Sequence, residues 1–75
     1  MRKISDTAKI QAFLTAVRAQ RKKMRLPQKV LAHELGLGVS AYSKIESGAT
    51  GLNVGIFNFL CNRLNLRPEN YFFPN

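Results

Sequence analysis

Apolar side chains recur along this chain at helical spacing, in blocks punctuated by glycine and proline. Ile10, Phe13, Leu14, Val17 and Met24 fall on one stripe of a helical period, with Arg18, Lys22 and Lys23 largely on other faces. Ser5 and Asp6 stand just ahead of that stripe, and either can accept from the unpaired N–H groups that open a helix. The first helix is predicted to end at Leu26-Pro27, because the residue before a proline is pushed out of the helical region. Pro27 then suits the first turn of a second helix, with Val30, Leu31, Ala32 and Leu35 on its apolar side and Gly36 as its stop. A third helix follows Gly38 and runs Val39–Ser47, with Tyr42 and Ile45 inward and Gly48 at its end. After a loop through Ala49, Thr50, Gly51 and Leu52, Asn53 caps a fourth helix with Val54, Phe57, Leu60, Cys61 and Leu64 on one face. Pro68 opens a last short helix containing Glu69, Tyr71 and Phe72, and Pro74 ends regular structure. Alternating β-branched runs are lacking, so the expected fold is all-α: a compact five-helix domain over residues 1–75.

Length and charge narrow this picture. A 75-residue chain suffices for one domain. A domain of that size buries only about 60% of its unfolded-chain surface, so tight helical packing or dimerisation has to supplement its core. Twelve Lys and Arg against four Asp and Glu give a net charge of +8. Such an excess favours a polyanionic partner, nucleic acid or an acidic membrane surface, over a merely soluble basic protein. No apolar run approaches the ~20 residues of a membrane span, and none follows the basic start Met1-Arg2-Lys3 as a signal peptide would require. Cys61 is the single cysteine and His33 the single histidine, so neither a disulfide nor a metal site is expected, and no cofactor. No nucleophile–base pairing or phosphate-cradling Gly loop is present, and an enzyme is not expected. The expected location is cytoplasmic and nucleoid-associated.

Two short helices joined by Leu35-Gly36-Leu37-Gly38 form a helix-turn-helix candidate. A longer pattern strengthens it: Arg21, the run Leu26-Pro27-Gln28-Lys29-Val30-Leu31-Ala32, Leu35-Gly36, Ser40, Ser43-Lys44-Ile45-Glu46 and Gly48. It continues through Asn53, Leu60, Leu64 and Tyr71-Phe72. Over residues 21–72, without a gap, this sequence resembles the Cro and phage-repressor (Xre-type) helix-turn-helix family. The resemblance implies a lambda-repressor-like DNA-binding fold, its second helix crossing the DNA backbone and its third lying in the major groove.

It also assigns roles. Val39, Ser40, Ser43 and Lys44 match positions that face base edges, and the spacing of 40, 43 and 44 puts them on one helix face. Lys44 can donate to guanine, and Ser40 and Ser43 can pair with several bases. Val39 stands where many members carry a polar residue, and Gly38 replaces the usual Ser or Thr cap; both departures weaken direct readout. Gln28 matches a phosphate-contacting amide, with Lys29 beside it a second candidate. Gly38 and Thr50, with the small residues of the loop after the third helix, offer close backbone approach to phosphates or simply turn chemistry. Arg21 and Glu46 match a partly buried structural salt bridge. Arg18, Lys22, Lys23 and Arg25 are either a solvated face or a set that tracks the DNA backbone. Tyr71 and Phe73 either close the core or seed a dimer contact.

The expected partner is double-stranded DNA, bound by a homodimer as a small transcriptional repressor on a palindromic operator. Within the same family an antitoxin, binding a protein toxin and repressing its own operon, is the alternative. Charge-driven membrane or RNA binding is disfavoured, because no aromatic stacking cluster and no free amphipathic face is evident.

Overall fold

A computed structural model describes residues 7–71. Its regular elements are all helical: α1 (Thr7–Lys23), α2 (Gln28–Glu34), α3 (Val39–Ser47) and α4 (Val54–Leu64), then a single 3-10 turn at Pro68–Asn70. The all-α fold read from the sequence is observed, with four α-helices among the described residues where five were expected. The last segment is cut short because the chain leaves helical geometry at Tyr71 (φ −122°, ψ −47°). There the Tyr71 ring turns onto Phe13, edge-on at a centroid distance of 5.3 Å. Ser5, Asp6, Phe72 and Phe73 lie outside the described residues.

One continuous core joins all four helices. Phe13, Leu14 and Val17 of α1 meet Leu31 and Ala32 of α2, Tyr42 and Ile45 of α3, and Phe57, Leu60, Cys61 and Leu64 of α4. Leu52 plugs the loop before α4 into the same cluster. The Phe13 and Phe57 rings tilt against each other at 4.7 Å, a geometry worth about 0.5–1.5 kcal/mol beyond the area it buries. Burial pushes the Cys61 thiol up to about 11, with the Glu69 charge adding to it, so Cys61 behaves as a small apolar core residue. Met24, assigned to the α1 stripe, instead lies past the helix end and is 39% exposed.

Helix ends follow one device. At the close of α1, α2 and α4 a residue turns left-handed: Arg25 (φ 60°), Gly36 (φ 71°) and Asn65 (φ 58°). The next residue then donates back into the helix: Leu26 to the Arg21 carbonyl (3.0 Å), Leu37 to Ala32 (2.8 Å) and Leu66 to Cys61 (2.9 Å). These are Schellman closures, and each delivers a leucine that packs against the core. Arg25 therefore stops α1 at Lys23, short of the expected Leu26-Pro27 boundary, and Pro27 stands extended (φ −71°, ψ 154°) just ahead of α2. Gly48 ends α3 at φ 89°, where a Cβ would also lie 2.6 Å from Gln11 Nε2. The left-handed conformation is what favours glycine there, since the exposed Gln11 amide can swing aside.

α1 serves as the scaffold against which α3 and α4 are clamped. Its Gln20 Nε2 donates to the Leu64 carbonyl at the end of α4 (3.0 Å). Its Arg18 Nη1 donates to the Glu46 carbonyl near the end of α3 (2.7 Å). Both carbonyls belong to the last turn of their helix, which lacks intrahelical partners. Arg18, grouped by sequence with a basic surface run, is thus committed to helix packing.

Candidate nucleic-acid interface

α3 packs chiefly on α2, and a buried polar cluster fixes the pair to α1. Its centre is Glu46, 1% exposed. Glu46 Oε1 accepts from Arg21 Nη2 at 2.9 Å and from Gln28 Nε2 at 3.1 Å. Oε2 accepts from Arg21 Nε at 3.0 Å and from the Tyr42 hydroxyl at 2.7 Å. The remaining Arg21 reach, Nη1, donates to the Leu26 carbonyl at 2.9 Å. Both carboxylate oxygens are saturated, and no buried side-chain N or O among the described residues lacks a partner, as a buried ion requires. The structural salt bridge expected between Arg21 and Glu46 is present. It is bidentate, and it includes α2 through Gln28 and α3 through Tyr42, partners the sequence did not single out.

Burial alone would raise the Glu46 carboxyl; the hydrogen bonds from Arg21, Tyr42 and Gln28, with the Arg21 charge, outweigh it and leave the group below the usual carboxylate range. A carboxyl that is more acidic folded than unfolded stabilises the fold fully above the unfolded value of about 4.3, and that contribution is lost as pH falls through the folded one. Urea midpoints measured downward from neutral pH should therefore drop below about pH 4 in the wild type. Glu46→Gln should be less stable at neutral pH and show a shallower acid decline. Equal slopes for the two proteins would place the acid sensitivity elsewhere. The exposed Glu34 carboxyl, held low by the Arg63 hydrogen bond, acts in the same direction.

With that cluster as its inner face, α3 presents Val39, Ser40 and Lys44 outward, with Ser43 half-buried beside them. Val39 is 48% exposed, a large apolar side chain left in the open at the start of the helix. Gly38 provides extended entry (φ −73°) without a side-chain cap, so the first N–H groups of α3 are left free of protein side chains. A Cβ at Gly38 would meet nothing within 4 Å, so packing does not dictate glycine here. Lys29 is exposed on α2. Gln28, matched by resemblance to a phosphate-contacting amide, spends one N–H on Glu46 and retains the other. The loop after α3 is more self-contained than its composition suggested. Gly48 N–H donates to Ile45, Thr50 N–H to Lys44, and Ala49 N–H to Ser47 Oγ. What Thr50 still offers outward is its hydroxyl.

Charge separates this face from the rest of the molecule. Every described carboxylate has an arginine beside it: Glu46 with Arg21, Glu34 with Arg63 at 2.8 Å, and Glu69 with Arg67 at 3.9 Å. Lys22, Lys23, Arg25, Lys29 and Lys44 make no side-chain hydrogen bond or ion pair among the described residues. All of them lie between the end of α1 and α3, and neither α2 nor α3 carries an acid in its first turn. Arg2 and Lys3 lie outside the described residues.

Two short helices joined by a glycine-bearing turn, the second exposing polar and cationic side chains under unneutralised positive charge, define a helix-turn-helix module of the DNA-binding kind. A family model described as helix-turn-helix matches residues 17–71, more than two thirds of the chain. The chain belongs to this family, of the Cro and phage-repressor (Xre-like) type. No characterised protein and no solved structure gives a significant match. The family is one of DNA-binding regulators. No helix among the described residues is long and apolar enough to cross a membrane.

Proposed function

We propose that this protein is a transcriptional repressor that binds a palindromic operator as a homodimer, α3 lying in the major groove and α2 crossing the backbone. The observation that carries the reading is the segregation of charge. Among the described residues, acids are paired off with arginines, and the cations without a partner run from the end of α1 through α2 to α3. Lys44, Ser40 and Ser43 read base edges, with Val39 against a thymine methyl. Lys29, Gln28, Thr50 and the backbone at Gly38 hold phosphates on either side. Tyr71 is committed within the chain to Phe13, which leaves Phe73 as the aromatic proposed for the dimer contact.

The test is selection of bound duplexes from a random pool, followed by titration at several salt concentrations and sedimentation of the complex. The expected result is an enriched palindrome with half-sites about 34–36 Å apart and a logarithmic loss of affinity with salt of about 0.9 per phosphate neutralised. Salt-sensitive binding without a motif would replace this reading with a charge-driven binder. A motif that emerges only with a co-expressed protein would favour the toxin-partnered form.

A further inference from the structure

The left-handed residue that closes α1 is the odd one of its kind. The corresponding positions after α2, α3 and α4 are Gly36, Gly48 and Asn65, the residue types that enter this region most readily. At α1 it is Arg25, at φ 60°, where an ordinary L-residue sets its Cβ against the following carbonyl. The turn itself is needed to close α1, but no contact of the arginine side chain explains why this residue type fills it. Arg25 is exposed, and its guanidinium makes no hydrogen bond or ion pair among the described residues. Its backbone, by contrast, is held from several sides. The Arg25 N–H donates to Lys22 (3.0 Å), the Leu26 N–H to Arg21 (3.0 Å), and the Leu26 carbonyl accepts from buried Arg21 Nη1 (2.9 Å). Leu26 itself packs on the core. A long cationic side chain is thus anchored on a rigid turn in a conformation that costs stability, three positions ahead of Gln28 and among Lys22, Lys23 and Lys29. A strained position held by a side chain that has no partner among the described residues points to function.

We propose that Arg25 clamps a DNA phosphate at the outer edge of each half-site, extending the backbone contacts of the helix-turn-helix beyond α2. This rests on the DNA-binding reading above and adds a residue to it. The guanidinium fork suits a phosphate, and the turn fixes its root before DNA arrives, which lowers the ordering cost of the contact.

Arg25→Gly separates function from folding, because the two should move in opposite directions. Glycine relieves the left-handed turn, so the melting temperature should rise by about 4–8 °C. Affinity for the selected operator should fall roughly tenfold at physiological salt. The slope of log affinity against log salt should shrink by about 0.9 for each chain bound, uniformly across operator sequences. Arg25→Lys, which keeps the charge, should retain the wild-type salt slope. A Gly variant that gains stability while keeping wild-type affinity and slope would overturn the proposal and leave Arg25 a tolerated surface residue. A loss confined to one operator base pair would also overturn it, by making Arg25 a base reader. A wild type that binds no duplex even at low salt would instead remove the DNA-binding reading itself, and this inference with it.

Discussion

Glu46→Ala should lower the unfolding free energy by about 3–5 kcal/mol, as much as truncating a large core side chain. The carboxylate is 1% exposed and answers Arg21, Gln28 and Tyr42 together. Truncation leaves a guanidinium, a phenol and an amide N–H without their shared acceptor in a buried site. A domain of this length has roughly 4–11 kcal/mol to lose, so the variant should sit near its threshold at physiological temperature. Urea unfolding followed by circular dichroism is the measurement, with an unchanged m-value showing that the denatured state is the same. The double variant Arg21→Met with Glu46→Leu removes both charges, and it should recover part of the loss, because the penalty of the single change is an unpaired buried cation. A single-variant loss below about 1 kcal/mol would mean that water reaches the site and that the cluster is less buried in solution than its geometry indicates.

The cluster also explains why so much of the fold was legible in the sequence and where legibility stopped. Helical stripes depend on residues three and four apart, so α2, α3 and α4 were readable from Leu31-Leu35, Tyr42-Ile45 and Phe57-Leu60-Cys61. Gly36, Gly48 and Asn53 marked their boundaries by conformational need. Arg25 hid the end of α1, because nothing about an arginine announces a left-handed residue, and the visible proline further on drew the boundary past it. The signal that could have found it is the repeated pattern of a left-handed residue followed by leucine at Arg25-Leu26, Gly36-Leu37 and Asn65-Leu66.

Side-chain partnerships were less readable, because they depend on how helices cross. Arg18 and Arg21 are three apart on α1, and both reach Glu46, one its backbone carbonyl and the other its carboxylate. Only Arg21 matched a family pattern; Arg18 looked like any basic surface residue. Gln28 likewise matched a phosphate contact, while its bond to Glu46 depends on the approach of α2 to α3. The consequence for function is direct. The amide proposed to meet DNA hangs from the same carboxylate that locks α3 to α1, so the spacing between the phosphate-facing and base-facing side chains is set by one buried group.

On that rigid frame Lys44 is the side chain with most to lose at the bases. Lys44→Ala should cost about 1–3 kcal/mol of operator affinity and abolish preference at one base pair per half-site. Lys44 is exposed, has no protein partner among the described residues, and follows exposed Ser40 by one helical turn on the outer face of α3. Its removal should therefore leave the fold nearly intact, apart from a few tenths of a kcal/mol for a cation lost from the last turn of the helix. Specificity is expected to hang on this residue to an unusual degree. Val39 supplies no hydrogen bond through its side chain, Gly38 has no side chain to offer, and Ser43 is half-buried. Discrimination among duplexes then falls largely to one cation and one exposed hydroxyl, Ser40. The measurement is competition of the variant against single-base operator substitutions at constant salt. Relaxed preference at one position, with affinity for other sequences preserved, makes Lys44 a base reader. Uniform weakening with a reduced salt slope would move it to the phosphate backbone and leave recognition to the shape and deformability of the operator.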